Sequence, residues 1–274
     1  MRKKATTTNK DVFECYESIS DFVNALNARP VDPFYKDILI SHETGEYRTA
    51  FTGTKSFEEA DDLLMNGDLE TAKKMNAKAR NVKQAKGVKN TITRGPVGFV
   101  PNIPAYLSGN PDNMFSVRPQ SYKSTKVVNL IINNTVPYTV DGDELAAFGV
   151  NLLNVVTALE SKGYRLNVYI TDTSYFDKSK NTGVLVVKIK DSGKPLNVAK
   201  VAYPLANPSF SRRHCRNWIE KNRNLKSKGY GFGLPYSESK AILAKHFSKF
   251  VYINTNDLYK DSEEDLLNEV NKQL

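Results

Sequence analysis

The chain has 274 residues, 40% of them hydrophobic and 25% charged, with 39 Lys and Arg against 30 Asp and Glu for a net charge of +9. Such a length can hold one large domain, or a domain with an appended arm, and bury a sizeable core; no apolar run approaches the ~18 residues of a membrane span. Cys15 and Cys215 stand alone and His42, His214 and His246 are scattered, which argues against a disulfide framework and against a Cys/His zinc site.

In chain order, the opening "MRKKATTTNK" is basic but lacks the apolar stretch of a secretory signal, so cytoplasmic residence is the expectation. "SISDFVNALNARP" puts Ile19, Phe22, Val23 and Leu26 at helical spacing, started by Ser18 or Ser20 and stopped by Pro30. "EYRTAFTGT" reads as a short strand. In "SFEEADDLLMNGD" Ser56 can cap a helix while Glu59 reaches back, and Gly67 ends it. Residues 1–72 therefore read as an N-terminal arm, mostly helical and, with the segment that follows, basic.

Residues 73–95 read as a basic linker or solvated helix. From Thr71 to Pro111 there is no acidic residue, while Lys73, Lys74, Lys78, Arg80, Lys83, Lys86, Lys89 and Arg94 all fall within it. Such charge attracts polyanions, nucleic acid among them, and also keeps a protein soluble. The proline-rich "RGPVGFVPNIPAYLSGNPDNM" predicts an irregular connector laid over the next domain by Phe99, Ile103, Tyr106, Leu107 and Met114.

Residues 96–274 read as an α/β domain. "KVVNLII" predicts a strand buried on both faces, "DELAAFGVNLLNVVTALESKG" a helix with Leu145, Phe148, Leu152, Val155, Val156 and Leu159 on one side, and "YRLNVYIT" the next strand. The helical crossover predicts that 127–132 lies centrally in a mainly parallel sheet, with 165–170 parallel to it and helix 143–162 across one face. "GVLVVKIK" and "NVAKVAYPL" read as strands around "DSGKP". "SRRHCRNWIEKN", "SESKAILAKHFSKF" and "SEEDLLNEVNKQL" read as helices, with "VYIN" as a short strand.

The strand "KVVNLIINN", a helix ending "LESKGY" and the strand "RLNVYIT" resemble the core of von Willebrand factor A-like domains, which are Rossmann-like: a mainly parallel sheet flanked by helices. "GTKSFEEADDLLMNG", "IPAYLSGNPDNM", "LESKGYRLNVYI" and "YPLANPSFSRRHCRN" look like an uncharacterised family of bacteriophage proteins, over most of the chain from about Arg48. Von Willebrand A domains bind a divalent cation through Asp-x-Ser-x-Ser after the first strand. The matching positions here are Asn133, Thr135 and Pro137, without the lead carboxylate. Asp172 or Asp141 could supply one, but the resemblance implies a degenerate site and no cofactor.

In "NPSFSRRHCRNW", Ser209 or Ser211 can start a helix whose first turns carry Arg212, Arg213, His214 and Arg216. This is either an anion clamp or a tie to core carboxylates, with Trp218 as a core anchor. His214 and Cys215 do not form a nucleophile pair, because adjacent helical residues diverge by about 100°. "GYGFG" lacks the strand-helix context of a dinucleotide loop. The reading is a phage-encoded, non-enzymatic binding or assembly protein. It would act in the host bacterial cytoplasm or the virion, with a phage or host protein as partner and no membrane. The alternative is a sequence-independent nucleic-acid-binding protein, using the lysines above with Arg212, Arg213 and Arg216. Behind both stands a metal-dependent hydrolase built on Asp141 and Asp172.

Overall fold

The computed structural model describes residues 4–7, 11–37, 39–79, 91–118, 126–135, 139–140, 142–227, 231–254 and 263–274. It is an α/β fold with a mixed, mostly parallel central sheet flanked by helices. Strand β1 (Lys4–Thr7) pairs antiparallel with β2 (Asp11–Tyr16) at one edge. Helix α1 (Ile19–Asn27) starts as its sequence predicts, Ser18 accepting from the Asp21 N–H. Glu46–Thr52 is helix α2, not the strand expected there. Gly45 and Gly53, both at positive φ, bracket it, and the Thr49 and Thr52 hydroxyls donate back to the Gly45 and Arg48 carbonyls.

Helix α3 (Phe57–Asn66) is capped by Ser56 and stopped at Gly67. The lysine-rich stretch enters helix α4 (Leu69–Ala79), whose Ala72 and Met75 join the main core. Much of the N-terminal third is built into the central sheet and the main core. Strand β2 lies parallel to a strand of the central sheet, and Val12, Tyr16, Phe22, Leu26, Ala60 and Leu64 belong to the main cluster.

The proline-rich connector departs further from expectation. It forms β3 (Thr91–Gly95), β4 (Val100–Pro101), helix α5 (Ile103–Leu107) and β5 (Met114–Arg118), with the strands in a separate antiparallel sheet, β3-β5-β4. None of its residues enters either hydrophobic cluster.

The strand-helix-strand unit is as predicted. Strand β6 (Val127–Asn133) leads through α6 (Gly142–Ser161) to β7 (Arg165–Phe176), parallel to β6 with Asn133 opposite Thr171. Gly163, at positive φ, follows the helix. Strand β7 runs past Ile170 and turns back into β8 (Asn181–Lys190), antiparallel to it. "NVAKVAYPL" is helix α7 (Val198–Ala206), not a strand, because Asn197 caps it by accepting from the Lys200 N–H.

A π-helical turn over Phe210–Cys215 leads into α8 (Arg216–Glu220). Then come β9 (Phe232–Gly233), α9 (Tyr236–Ala244), β10 (Val251–Asn254) and α10 (Glu263–Gln273). The sheet order β1-β2-β8-β7-β6-β10 puts β6 one place in from the edge rather than at the centre. Leu130, Ile132, Leu166, Val168 and Ile170 face the larger cluster with α6 and α7. Ile131, Tyr169 and Tyr252 face a thinner one with Leu243 of α9. Each fully buried side chain of this kind contributes about 1.5–3 kcal/mol.

Candidate functional site

In open α/β sheets the crevice outside the carboxyl ends of the strands is where ligands bind. Here Asn133 ends β6, and its Nδ2 donates to Asn254 Oδ1 at 3.0 Å. Its Oδ1 accepts from the Thr135 N–H at 3.1 Å and the Thr135 hydroxyl at 2.8 Å. The Thr135 hydroxyl in turn accepts from the Thr173 N–H at 2.8 Å. Asn134 sits beside them, its N–H donating to the Thr171 carbonyl at 2.7 Å.

Asn133 and Thr135 therefore meet, but Asp172 does not join them. Asn133 pairs with Thr171 in parallel register and successive strand residues face opposite sides, so Asp172 points to the other face, that of Ile170 and the helices. There it is 8% exposed, takes a 3.3 Å hydrogen bond from Ser174, and burial raises its pKa to about 6. Beyond the end of β6, β9 pairs with the extension of β7 and the Leu234 N–H donates to the Thr173 carbonyl. The chain's own residues 232–234 thus cover part of the crevice. Asp141 and Pro137 lie outside the described residues. Among the described residues no group of three His, Cys, Asp or Glu is placed to hold a metal ion.

The basic cluster is turned inward: of the two readings, anion clamp or tie within the core, its contacts are those of a tie, made mostly to backbone carbonyls, with one carboxylate, Glu220. Arg212, Arg213 and Arg216 are buried, Arg213 and Arg216 completely. Arg213 donates to Thr54 Oγ1 at 2.8 Å and to the carbonyls of Thr54, Ser41 and Glu43 at 2.9, 2.9 and 3.1 Å. Arg212 donates to the carbonyls of Phe51 and Val140, with its guanidinium 4.2 Å from the Phe51 ring centroid. Arg216 pairs with Glu220 at 3.2 Å. These guanidiniums fasten residues 41–54 to the 209–220 segment. Ser209 does not cap with its side chain; its hydroxyl donates to the Thr52 carbonyl.

His214 bridges Asp61 Oδ1 and the Tyr203 hydroxyl, each at 3.0 Å. Burial lowers its pKa against the opposing pull of Asp61. These three groups are linked in the manner of a proton relay, with Tyr203 and His214 fully buried and the Asp61 side chain 27% exposed. Cys215 is buried and its thiol is pushed well up by desolvation, the reverse of an activated nucleophile. Trp218 is the core anchor its sequence predicts, donating to the buried Glu14 carboxylate at 3.0 Å.

Among the described residues, a cleft of about 910 Å³ lies between β10 and α10, bordered by Tyr252, Asp265 and Glu269. Another, of about 610 Å³, lies among Gly67, Asp143 and Asn207, with Asp68, Thr71 and Lys74 in its lining; there the Thr71 hydroxyl donates to Asp68 Oδ2 at 2.7 Å. Of the basic residues expected to meet polyanions, Lys73 and Lys74 are exposed on α4, Lys73 paired with Glu70 at 2.7 Å. The Lys78 side chain, Arg80, Lys83, Lys86 and Lys89 lie outside the described residues.

The pronounced surface feature is the small sheet. Seven of the thirteen large apolar side chains exposed among the described residues fall between positions 92 and 107. Phe99, Tyr106 and Leu107 are 62%, 65% and 78% exposed, where the sequence had suggested packing. Their backbone is nevertheless held, the Phe99 N–H by the Phe115 carbonyl at 2.9 Å and the Asn102 N–H by the Asn113 carbonyl at 2.7 Å. Exposed apolar side chains in this number are unusual on a protein surface. The signal in the sequence was the density of large apolar residues among the prolines.

No helix among the described residues is long and apolar enough to cross a membrane. No curated protein and no solved structure matches the chain. A family model described as a domain of unknown function, DUF7192, matches residues 3–274, and the chain belongs to that family.

Proposed function

We propose that this is a phage-encoded, non-enzymatic binding or assembly protein of the host cytoplasm, with residues 91–118 as its binding element and a phage or host molecule as partner. The observation that carries the reading is the concentration of exposed large apolar side chains on that small sheet, outside both hydrophobic clusters. The phage origin rests on the sequence resemblance. The α/β core is read as a von Willebrand A-like scaffold, supported by the parallel β6-α6-β7 unit with a polar loop at its carboxyl end. The metal-site positions have become structural: Asn133 and Thr135 hydrogen-bond to each other and to neighbouring strands, and Asp172 faces the opposite side.

The test is affinity capture of the tagged full chain from infected cells, beside an Ile103→Ser/Leu107→Ser variant. The reading predicts a partner set recovered with the wild-type chain and lost with the variant, at unchanged melting temperature. Identical recovery with both would place binding elsewhere.

A further inference from the structure

Taking residues 91–118 as the binding element, we infer that its ligand is single-stranded nucleic acid, laid over the small sheet with Phe99 and Tyr106 as base-stacking surfaces. The inference rests on that reading and adds the partner's chemistry.

Charge is the first support. Residues 71–126 hold eleven Lys and Arg against one acidic residue, Asp112, while the remainder of the chain holds 28 basic and 29 acidic residues. The net charge of +9 therefore belongs to the sequence around the exposed sheet: residues 91–118 themselves carry Arg94 and Arg118 against Asp112, and all eight lysines flank them in the chain. Eight of those eleven are lysines. Protein interfaces favour Arg and are depleted in Lys, whereas a phosphate backbone takes Lys readily as a point charge. An acidic protein partner fits this composition less well than a polyphosphate does.

The exposed aromatic rings are the second. Phe99 and Tyr106 stand out from a hydrogen-bonded backbone, and Arg94, itself exposed, lies with its guanidinium 5.6 Å from the Phe115 ring centroid on the same sheet. Phe99 just before β4 and Tyr106 on α5 are exposed rings at the margin of a small antiparallel sheet that carries the exposed cation Arg94, a combination that suits unpaired bases, which offer a π-face whatever their sequence. A duplex hides those faces, and the five residues of α5 are too few to read a groove. The exposed aliphatic groups Val97 and Leu107 can pack against the edges of splayed bases.

The experiment is fluorescence anisotropy of the full chain with labelled oligo(dT) and oligo(U) of about 20 nucleotides, long enough for one or two binding sites, and a duplex of equal length. The expected result is tighter binding to the single strands, with affinity falling steeply as salt rises. Phe99→Leu/Tyr106→Leu keeps the apolar surface but removes the rings, and should weaken single-strand binding by at least about tenfold without moving the melting temperature. Arg94→Gln should reduce the salt dependence.

Absence of binding at low salt and micromolar protein overturns the inference. So does a leucine double variant that binds like wild type, or equal affinity for duplex, since either would mean attraction by charge alone. If oligonucleotides fail while the Ile103→Ser/Leu107→Ser variant still loses its captured partners, the partner is a protein. In that case the binding reading stands and this inference falls.

Discussion

Two regions of this molecule are inverted with respect to their composition. The 209–220 segment is among the more basic in the chain and is buried, whereas the 91–107 segment is rich in Val, Ile, Phe, Tyr and Leu and is exposed. The difference lies in what each meets. Residues 41–54 and Val140 offer Arg212 and Arg213 a set of backbone carbonyls, so those guanidiniums are hydrogen-bonded where water is excluded, the condition under which burial of charge is tolerated. Among the described residues the apolar side chains of the small sheet stand outside the cluster that buries Leu130 and Ile170 and outside the second cluster as well.

The largest expected effect separates the two regions directly. Arg213→Ala removes a buried cation and leaves carbonyls of Ser41, Glu43 and Thr54 short of a donor, and should cost about 3–5 kcal/mol in urea unfolding. Val97→Ser in the small sheet should stay within about 0.5 kcal/mol. Equal costs at the two positions would erase the contrast.

Asp172 sharpens the point, because it is a buried acid without the fastenings of the arginines. Burial raises its pKa to about 6 from the ordinary 3.8, so the fold prefers the neutral acid. Below about pH 4 both states are protonated and there is no penalty. As pH rises from about 4 to 6 the unfolded chain ionises first and stability is drawn down, with the loss complete above about 6. Asp172→Asn should therefore be more stable than wild type at pH 7.5 by about 1–3 kcal/mol, an advantage that disappears near pH 4. A gain independent of pH would contradict this origin.

His214 has the opposite sign. Burial lowers its pKa, so its contribution is present above the unfolded value of about 6.5 and is lost as pH falls through it. His214→Gln should flatten the decline in melting temperature between about pH 7 and 5. A modest loss belongs to an ordinary helix start: Ser56→Ala removes the acceptor of the Glu59 N–H and should cost about 1 kcal/mol.

Much of the core was legible because its signals are local and long. Helix α6 repeats its apolar face over twenty residues and is followed by a glycine, and β6 is apolar apart from Asn129 and its last residue, Asn133. Helix α7 was harder, since a short apolar run fits strand or buried helix alike. Asn197 as a cap was the available discriminator. Placing β2 required knowing that it pairs with β8, about 170 residues away, and nothing local announces that.

For the candidate site, the end of the sheet was predictable but the faces were misjudged. Period-two alternation from Ile170 already puts Asp172 on the helix side, away from Asn133. The fate of the arginines was not readable locally, because their acceptors are carbonyls more than 70 positions distant. A carbonyl leaves no mark in a sequence.

The central claim is that binding occurs on the small sheet and not at the basic segment or the carboxyl edge. Hydroxyl-radical footprinting of the free chain and of its complex recovered from infected cells tests it most directly. The account predicts fast oxidation of Phe99, Tyr106 and Leu107 in the free chain, slow oxidation of Tyr203 and Trp218, and partner-dependent protection centred on residues 91–118. Protection at 209–220, or at 133–135 and 232–234, with residues 91–118 unchanged would contradict it.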